Sequence, residues 1–494
     1  MMRRLAVWLV AAVGWAIGGG AEAKDPIADS VVKIYVTRRE PDFVRPWNKA
    51  NPQEAAGSGV VIAGKQILTN AHMVRYASQV LVQANQSTEK VPAKVKAVAH
   101  GMDLAVLQID EPGFFDQRPA VPVAQELPSL KQTVSVYGYP IGGEQISVTQ
   151  GIVSRIEYSH FYFSIAGLRI QIDAALNPGN SGGPAITGGK IIGLVCSRIA
   201  QAENIGYLIA AEEIAMFLAD AQDGTYHGKP VLWDVFVPTE NEALRAKLGL
   251  GKEAGMLVWE PFSLAPDWPL KKWDVITRIG DQPLDSQGSV KVKDDLKLYF
   301  EYLVPKLAKD GHVKLTVFRD RKTADLSAPV RAEAKLLVPF LKGEYPRYFI
   351  YGPMVFSQAT QDLVFGLAGS WASRMTMVKN PLLGRAMDQP AFAGEEIVTL
   401  GVGLRPHRTS KGYSPPPFSV VTHVNGTAVR NLAHVVELLR DAKGEFLTID
   451  LAGRSGPLVF RREEVLKATE DVLTDDSIRK QYSDDLEPIW HPKK

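Results

Sequence analysis

The sequence predicts a mainly β protein of several domains, and three observations carry that prediction. Its 494 residues suffice for about three domains at the usual ~150 residues each. Short β-branched runs recur along the chain, separated by turns that draw on 42 glycines and 32 prolines, a pattern of barrels and sandwiches. Helical periodicity is confined to a few short stretches, the first clear one placing Ile214, Phe217, Leu218 and Ala221 on one face.

The totals exclude several functions. A composition of 46% hydrophobic and 22% charged residues is that of an ordinary globular protein. The net charge of +2 predicts no nucleic-acid partner. The one cysteine, Cys196, excludes an intramolecular disulfide and sits in the apolar run Ile191-Ile192-Gly193-Leu194-Val195, as a buried strand residue would. At the start, Arg3 and Arg4 precede an apolar run over residues 5–17, and Ala21-Glu22-Ala23 offers a small-x-small cleavage pattern before Lys24. These features predict a signal peptide over 1–23, with an uncleaved amphipathic anchor as the alternative. An exported chain without disulfides points to a bacterial periplasm.

From Lys24 onward the elements follow in order. Residues 31–36 are a β-branched strand, 38–56 a polar loop, and Ser58-Gly59-Val60-Val61-Ile62 a second apolar strand that turns at Ala63-Gly64-Lys65. Ile67-Leu68-Thr69-Asn70-Ala71-His72 ends a strand on a histidine, a plausible general base. Asp103 precedes the alternating strand Leu104-Ala105-Val106-Leu107, where a carboxylate could orient that histidine. Asn177-Pro178-Gly179-Asn180-Ser181-Gly182-Gly183-Pro184 is the stretch the rest serves. A serine hydroxyl attacks a carbonyl only with a base in hydrogen-bond reach and donors aimed at the oxyanion. The flanking glycines let the amides of Gly179 and Ser181 approach one oxygen. The order His72, Asp103, Ser181 is that of double β-barrel serine proteases, not of subtilisins or α/β-hydrolases.

Thr69-Asn70-Ala71-His72, Asp103-Leu104-Ala105-Val106-Leu107 and Gly179-Asn180-Ser181-Gly182-Gly183-Pro184 together resemble the three catalytic signatures of the Deg/HtrA serine proteases. Gly138-Tyr139-Pro140-Ile141-Gly142 and Asn204-Ile205-Gly206-Tyr207 resemble further motifs of that family. Tyr299-Phe300-Glu301-Tyr302-Leu303-Val304 is similar to the branch best known from plant organelles. The resemblance implies a chymotrypsin-like double β-barrel followed by two PDZ-like α+β modules. It implies His72 as base, Asp103 as its orienting partner, Ser181 as nucleophile, and Gly179 and Ser181 amides as oxyanion hole. No metal or other cofactor is implied, since the chain has no His-Glu-x-x-His and no Cys/His cluster. Ala175, six residues before Ser181, stands where the pocket base often lies. Ala175 and Leu176, with Ile205, Gly206 and Tyr207, are the candidate pocket, and an uncharged side chain before the cut bond is expected unless Asp173 turns inward.

The remainder divides at two boundaries. Residues 220–230 are a polar linker; Thr239-Glu240-Asn241-Glu242 reads as a capping box opening a helix, and 294–303 reads as a second helix. The expected domains are 24–222 (protease), 225–345 (first PDZ), 346–470 (second PDZ-like) and a charged, partly disordered tail, 471–494. A PDZ module binds extended peptide C-termini on a sheet edge. Here Trp233 occupies the place of the usual glycine in the carboxylate loop, so its removal is expected to strengthen peptide binding. In the second module, Asn425-Gly426 predicts a tight hairpin, and Leu432, Val435, Val436 and Leu439 a helical face. The resemblance further implies trimers of the protease domain, with Ile34, Tyr35 and Trp47 as candidate contacts. The expected function is ATP-independent endoproteolysis of unfolded or damaged proteins in quality control; the alternative is a binding scaffold or holdase.

Overall fold

The computed structural model describes residues 25–161, 165–198, 205–367, 372–453 and 455–492. Residues 1–23, where a signal peptide is expected, and Asn204 lie outside them. After a helical turn α1 (Pro26–Ser30), the first sheet is built from β1 (Val31–Arg38), β2 (Gln53–Ile62), β3 (Gln66–Thr69), β4 (Ala77–Ala84), β5 (Lys90–Pro92), β6 (Lys94–Ala99) and β7 (Leu104–Gln108), in the order β5-β4-β1-β2-β3-β7-β6. The short α2 (Ala71–Val74) follows β3. Alternation sorts the side chains of β1. Val32, Ile34 and Val36 enter one core with Ile67, Val82 and Leu107. Val31 faces the other way, with Val60 and Leu68, into a core shared with Tyr137, Ile186, Leu194 and Ile209.

Those last four belong to the second barrel, made of β8 (Thr133–Gly138), β9 (Ser147–Phe161), β10 (Ile165–Ile172), β11 (Pro184–Thr187), β12 (Lys190–Arg198) and β13 (Gly206–Ala210), closed in the order β10-β13-β12-β11-β8-β9. Cys196 is buried in β12, as expected. The helix α3 (Ala211–Asp220) buries Ile214 and Phe217 between the barrels.

All three candidate trimer contacts also make contacts within the chain. Ile34 is fully buried in the first core. Trp47 lies edge-on to Tyr348, with ring centres 6.2 Å apart, and under Arg405. Tyr35 is half-buried and donates its hydroxyl to Gln83. An apolar residue near a chain start reads equally as an interface or as core, and only the packing separates the two.

The middle module has β14 (Val235–Pro238), α4 (Glu242–Leu248), β15 (Met256–Glu260), β16 (Val275–Ile279), β17 (Gln282–Pro283), β18 (Ser289–Lys293), β19 (Leu296–Tyr299), α5 (Val304–Leu307), β20 (His312–Arg319) and β21 (Lys322–Pro329), its main sheet running β14-β15-β16-β20-β21. Two expectations are corrected here. Asn241, not Thr239, caps α4, accepting from the Leu244 amide, because the Thr239 hydroxyl is spent on Gly255. Residues 294–303 are not one helix: β19 pairs with β18, and helical turns begin only at Phe300. Leu296 and Leu298 alternate into the second barrel's core beside Ile156 and Leu168, and their spacing of two residues is that of a strand, which the helical reading missed.

This junction carries charge. Lys229 is fully buried, with Nζ 2.8 and 3.0 Å from the Glu213 carboxylate oxygens. Burial pushes the Glu301 carboxyl up to about 7; Lys229 pulls against that shift and Asp234 adds to it. The folded chain therefore keeps a proton that the unfolded chain releases above its ordinary 4.5, so stability falls as pH rises from there through about 7. Glu301→Gln is expected to remove this slope, matching the native Tm near pH 4 and exceeding it by about 2–4 °C at pH 8. Calorimetry across that range checks it; a difference independent of pH refutes it.

The last module comprises β22 (Tyr348–Tyr351), β23 (Met354–Gln358), α6 (Gln361–Leu367), α7 (Ala372–Met377), β24 (Val398–Leu400), β25 (Val421–Val424), β26 (Thr427–Ala428), α8 (Leu432–Arg440), β27 (Phe446–Leu451), β28 (Leu458–Arg461), α9 (Arg462–Asp475) and α10 (Glu487–Trp490). Asn425 and Gly426 both have positive φ, 49° and 76°, and join β25 to β26 as the dipeptide predicts. The predicted face of α8 is buried. The expectation of a partly disordered tail is corrected: Leu486 is fully buried, and Trp490 packs on Phe349 and Tyr351. Along 471–487 most charged residues are exposed, while Val472, Ile478 and Leu486 are buried among them.

Candidate active site

His72 is held from three sides. It sits in α2, where the Arg75 amide closes the turn on Ala71, and the turn is preceded by Asn70, which is fully buried and donates its side-chain amide to the Asp103 carbonyl at 3.1 Å. His72 Nδ1 is 2.8 Å from Asp103 Oδ2, and the His72 backbone N–H donates to Asp103 Oδ1 at 2.8 Å. Two contacts from one carboxylate fix both the position and the ring orientation of the imidazole. Asp103 can reach it because it is left-handed, at φ 59°, closing the 3-10 turn His100–Met102. Asp103 is buried, while about a third of the His72 side chain stays exposed. His100, three residues before Asp103, is pushed below the usual imidazole range by burial and by Arg75 and Lys342.

Ser181 is half-buried on the loop before β11. Gly179 has φ 100°, and a Cβ there would overlap the Tyr139 carbonyl; one on Gly182, at φ 81°, would overlap the Ser58 carbonyl. Only glycine fits these two approaches. Ile141 N–H donates to the Pro178 carbonyl at 2.7 Å, and Gly183 N–H to the Asn180 carbonyl at 2.9 Å. In a trans peptide N–H and C=O point opposite ways, so these bonds turn the Gly179 and Ser181 amides to the other side. Neither amide donates to any group among the described residues. The Ser181 hydroxyl and His72 Nε2 likewise have no hydrogen-bond partner there. Such bonds are often loose before substrate arrives.

The segment bearing His72 and the loop bearing Ser181 meet across Gly57: a Cβ there would touch both the Met73 side chain and the Ser181 carbonyl. Of the candidate pocket residues, Ala175 is exposed, its carbonyl accepting from the Thr149 hydroxyl. Leu176 lies against buried Gly206, and Ile205 and Tyr207 are half-buried. Asp173 Oδ1 accepts from the Ile152 amide at 2.6 Å, so this carboxylate is engaged on a strand edge. Among the described residues no group of three His, Cys, Asp or Glu is placed to hold a metal.

Ser58, Thr69 and Asn70 belong to the site's support, and the sequence reading did not assign them. Their one signal was position: each stands immediately beside a glycine or within a motif of the strand leading to His72.

The trypsin-like peptidase domain family model matches residues 57–194, and the PDZ domain model matches 340–485. The chain is 34% identical over 453 residues to Protease Do-like 4, mitochondrial, of Arabidopsis thaliana, covering 88% of this chain and 84% of that protein. It is 32% identical over 481 residues to Protease Do-like 2, chloroplastic, of the same plant, covering 94% and 76%. Among solved structures, the HtrA-type protease AlgW with tripeptide superposes with a TM-score of 0.50 at 23% identity, covering 62% of this chain and 94% of that one, which speaks to the fold.

Proposed function

Because this chain belongs to the Do-like serine protease family, with its trypsin-like peptidase and PDZ domains, we propose that it is a serine endopeptidase working through His72, Asp103 and Ser181. The observation that carries the reading is the His72–Asp103 pair beside two undonated amides, those of Gly179 and Ser181. Ser181 Oγ attacks the scissile carbonyl while His72 takes its proton; Asp103 stabilises the imidazolium, and the two amides take the oxyanion. His72 then protonates the leaving amine, and water repeats the sequence to release the acyl group. The chemistry uses no ATP.

Unfolded or damaged polypeptides are the proposed substrates, since an extended chain is what the site between two barrels can thread. Uncharged Ala174, Ala175 and Leu176, with Asp173 engaged elsewhere, support an apolar residue before the cut bond. β14 is a sheet edge and supports docking of an extended peptide on the middle module. Trp233 donates its indole N–H to the Arg331 carbonyl, in a segment paired with Arg331 at Val231, so the loop before β14 is tied down. The domain division proposed is protease to about 222, PDZ to about 345, and a PDZ-like module beyond. Assembly into trimers and a periplasmic location are also proposed; the Arg3, Arg4 and 5–17 pattern supports export, whereas the named relatives are mitochondrial and chloroplastic proteins.

Casein digestion by the native chain beside Ser181→Ala tests the core of this reading. Loss of both cleavage and fluorophosphonate labelling in the variant is expected, with Val, Ala or Ile before the mapped cuts. Full proteolysis by Ser181→Ala would end the assignment, and a dominant Lys or Arg preference would end the pocket reading.

A further inference from the structure

The proposed triad is divided between two bodies. His72 and Asp103 stand on the first sheet, and Ser181 on a loop of the second barrel. Catalysis needs the two bodies held in fixed relation, since a displacement of about 1 Å at reacting atoms can cost about 10²-fold in rate. The residue where they are tied together is Ser58 on β2.

Ser58 is fully buried, and all of its polar groups are engaged at this seam. Its N–H donates to the Ser181 carbonyl at 2.9 Å. Its hydroxyl donates to the Gly179 carbonyl at 2.8 Å and accepts from the Tyr139 N–H at 2.8 Å. Its own carbonyl accepts from the hydroxyl of Thr69, three residues before His72, at 2.8 Å. The loop's remaining bonds come from the second barrel or the loop itself: Ile141 to Pro178, Asn180 to Asn177, Gly183 to Asn180 and Gly182 to Val195.

We propose that Ser58 is a positioning residue of the oxyanion hole, its hydroxyl fixing the one peptide that lies between the two hole amides. Gly179 N–H and Ser181 N–H converge on one oxygen only if the intervening Gly179–Asn180 peptide keeps its orientation. That peptide's carbonyl is the one Ser58 holds. Because Tyr139 N–H donates to the same hydroxyl, its proton is directed to Gly179 rather than left to rotate. The 139–143 loop, which braces Pro178 through Ile141, is thereby locked to the same point. Lys33 Nζ adds a second tie from the first sheet, donating to the Gly143 carbonyl at 2.9 Å. A hydroxyl that served packing alone would have no reason to bridge these two segments.

The inference rests on the triad and oxyanion-hole reading above, and the test separates the two. In Ser58→Ala, kcat per fluorophosphonate-titrated site is expected to fall by about 10–100-fold, less than the loss of a whole donor, with KM within about threefold. Affinity for a peptide boronic acid, whose bound form places an oxygen in the hole, is expected to fall by the same factor. A purely structural role would lower the number of titratable sites and leave both per-site values unchanged. Ser58→Cys, of similar size with a weaker donor, is expected to lie between, and serves if the alanine variant does not fold. Per-site kcat or boronate affinity equal to native in either folded variant overturns the proposal. If Ser181→Ala is dead while Ser58→Ala is native-like, only this inference fails; if Ser181→Ala stays active, the site reading itself fails.

Discussion

Asp103→Asn is expected to lower turnover by about 10⁴ while leaving the fold in place. The substitution is nearly isosteric, and asparagine tolerates the left-handed backbone that Asp103 adopts at φ 59°. Its oxygen can still accept from the His72 backbone N–H. What is lost is the carboxylate beside His72 Nδ1. An amide there either favours the wrong tautomer, with the Nε2 proton facing Ser181, or fails to stabilise the imidazolium as the proton moves. The expected signature is native thermal unfolding with almost no turnover at neutral pH. Activity within tenfold of native would mean that Asp103 does not orient the base.

The second large effect concerns stability. Glu213→Leu is expected to destabilise the junction of protease and middle module by about 3–5 kcal/mol. The change strands the Lys229 ammonium, which is fully buried, and leaves the Leu168 N–H without its acceptor. The Lys229 ammonium also donates to the Ala166 carbonyl at 3.1 Å and lies 4.9 Å from the Tyr158 ring centre. Burial already draws its ammonium below the usual lysine value, and the Glu213 carboxylate is what opposes that shift. Lys229→Met alone leaves the Glu213 carboxylate buried without its ammonium, the Leu168 amide still donating to it. The double variant Glu213→Leu/Lys229→Met is expected to recover most of the loss, because a well-packed apolar pair can replace a buried ion pair at little cost. Urea unfolding of the four chains measures the coupling; additive losses would mean the pair is not what holds this junction.

Wherever the residues themselves impose geometry, the sequence was sufficient. The glycines around Ser181 are demanded by positive φ and by backbone oxygens at contact distance, and the chain order of His72, Asp103 and Ser181 is what the proposed chemistry was read from. Asn425-Gly426 dictates its own turn, and the apolar face of α8 follows from the 3.6-residue period. What these share is locality: the information lies within a few residues of the feature it specifies.

The rest depended on partners far away in the chain. Leu296 and Leu298 form a strand whose inward face the second barrel supplies with a core. Trp490 is ordered by Phe349 and Tyr351, and Trp47 by Tyr348, contacts no local pattern encodes. Ser58 reads as an unremarked polar residue at the head of an apolar strand, until folding sets its hydroxyl against Gly179 and Tyr139. Proline apart, local helix preferences are worth at most about 1 kcal/mol per residue, whereas fully burying one large apolar side chain is worth about 1.5–3 kcal/mol. The sequence therefore determined the family signatures and the local turns, and tertiary burial decided which elements the ambiguous segments became and how the two halves of the proposed site are held together.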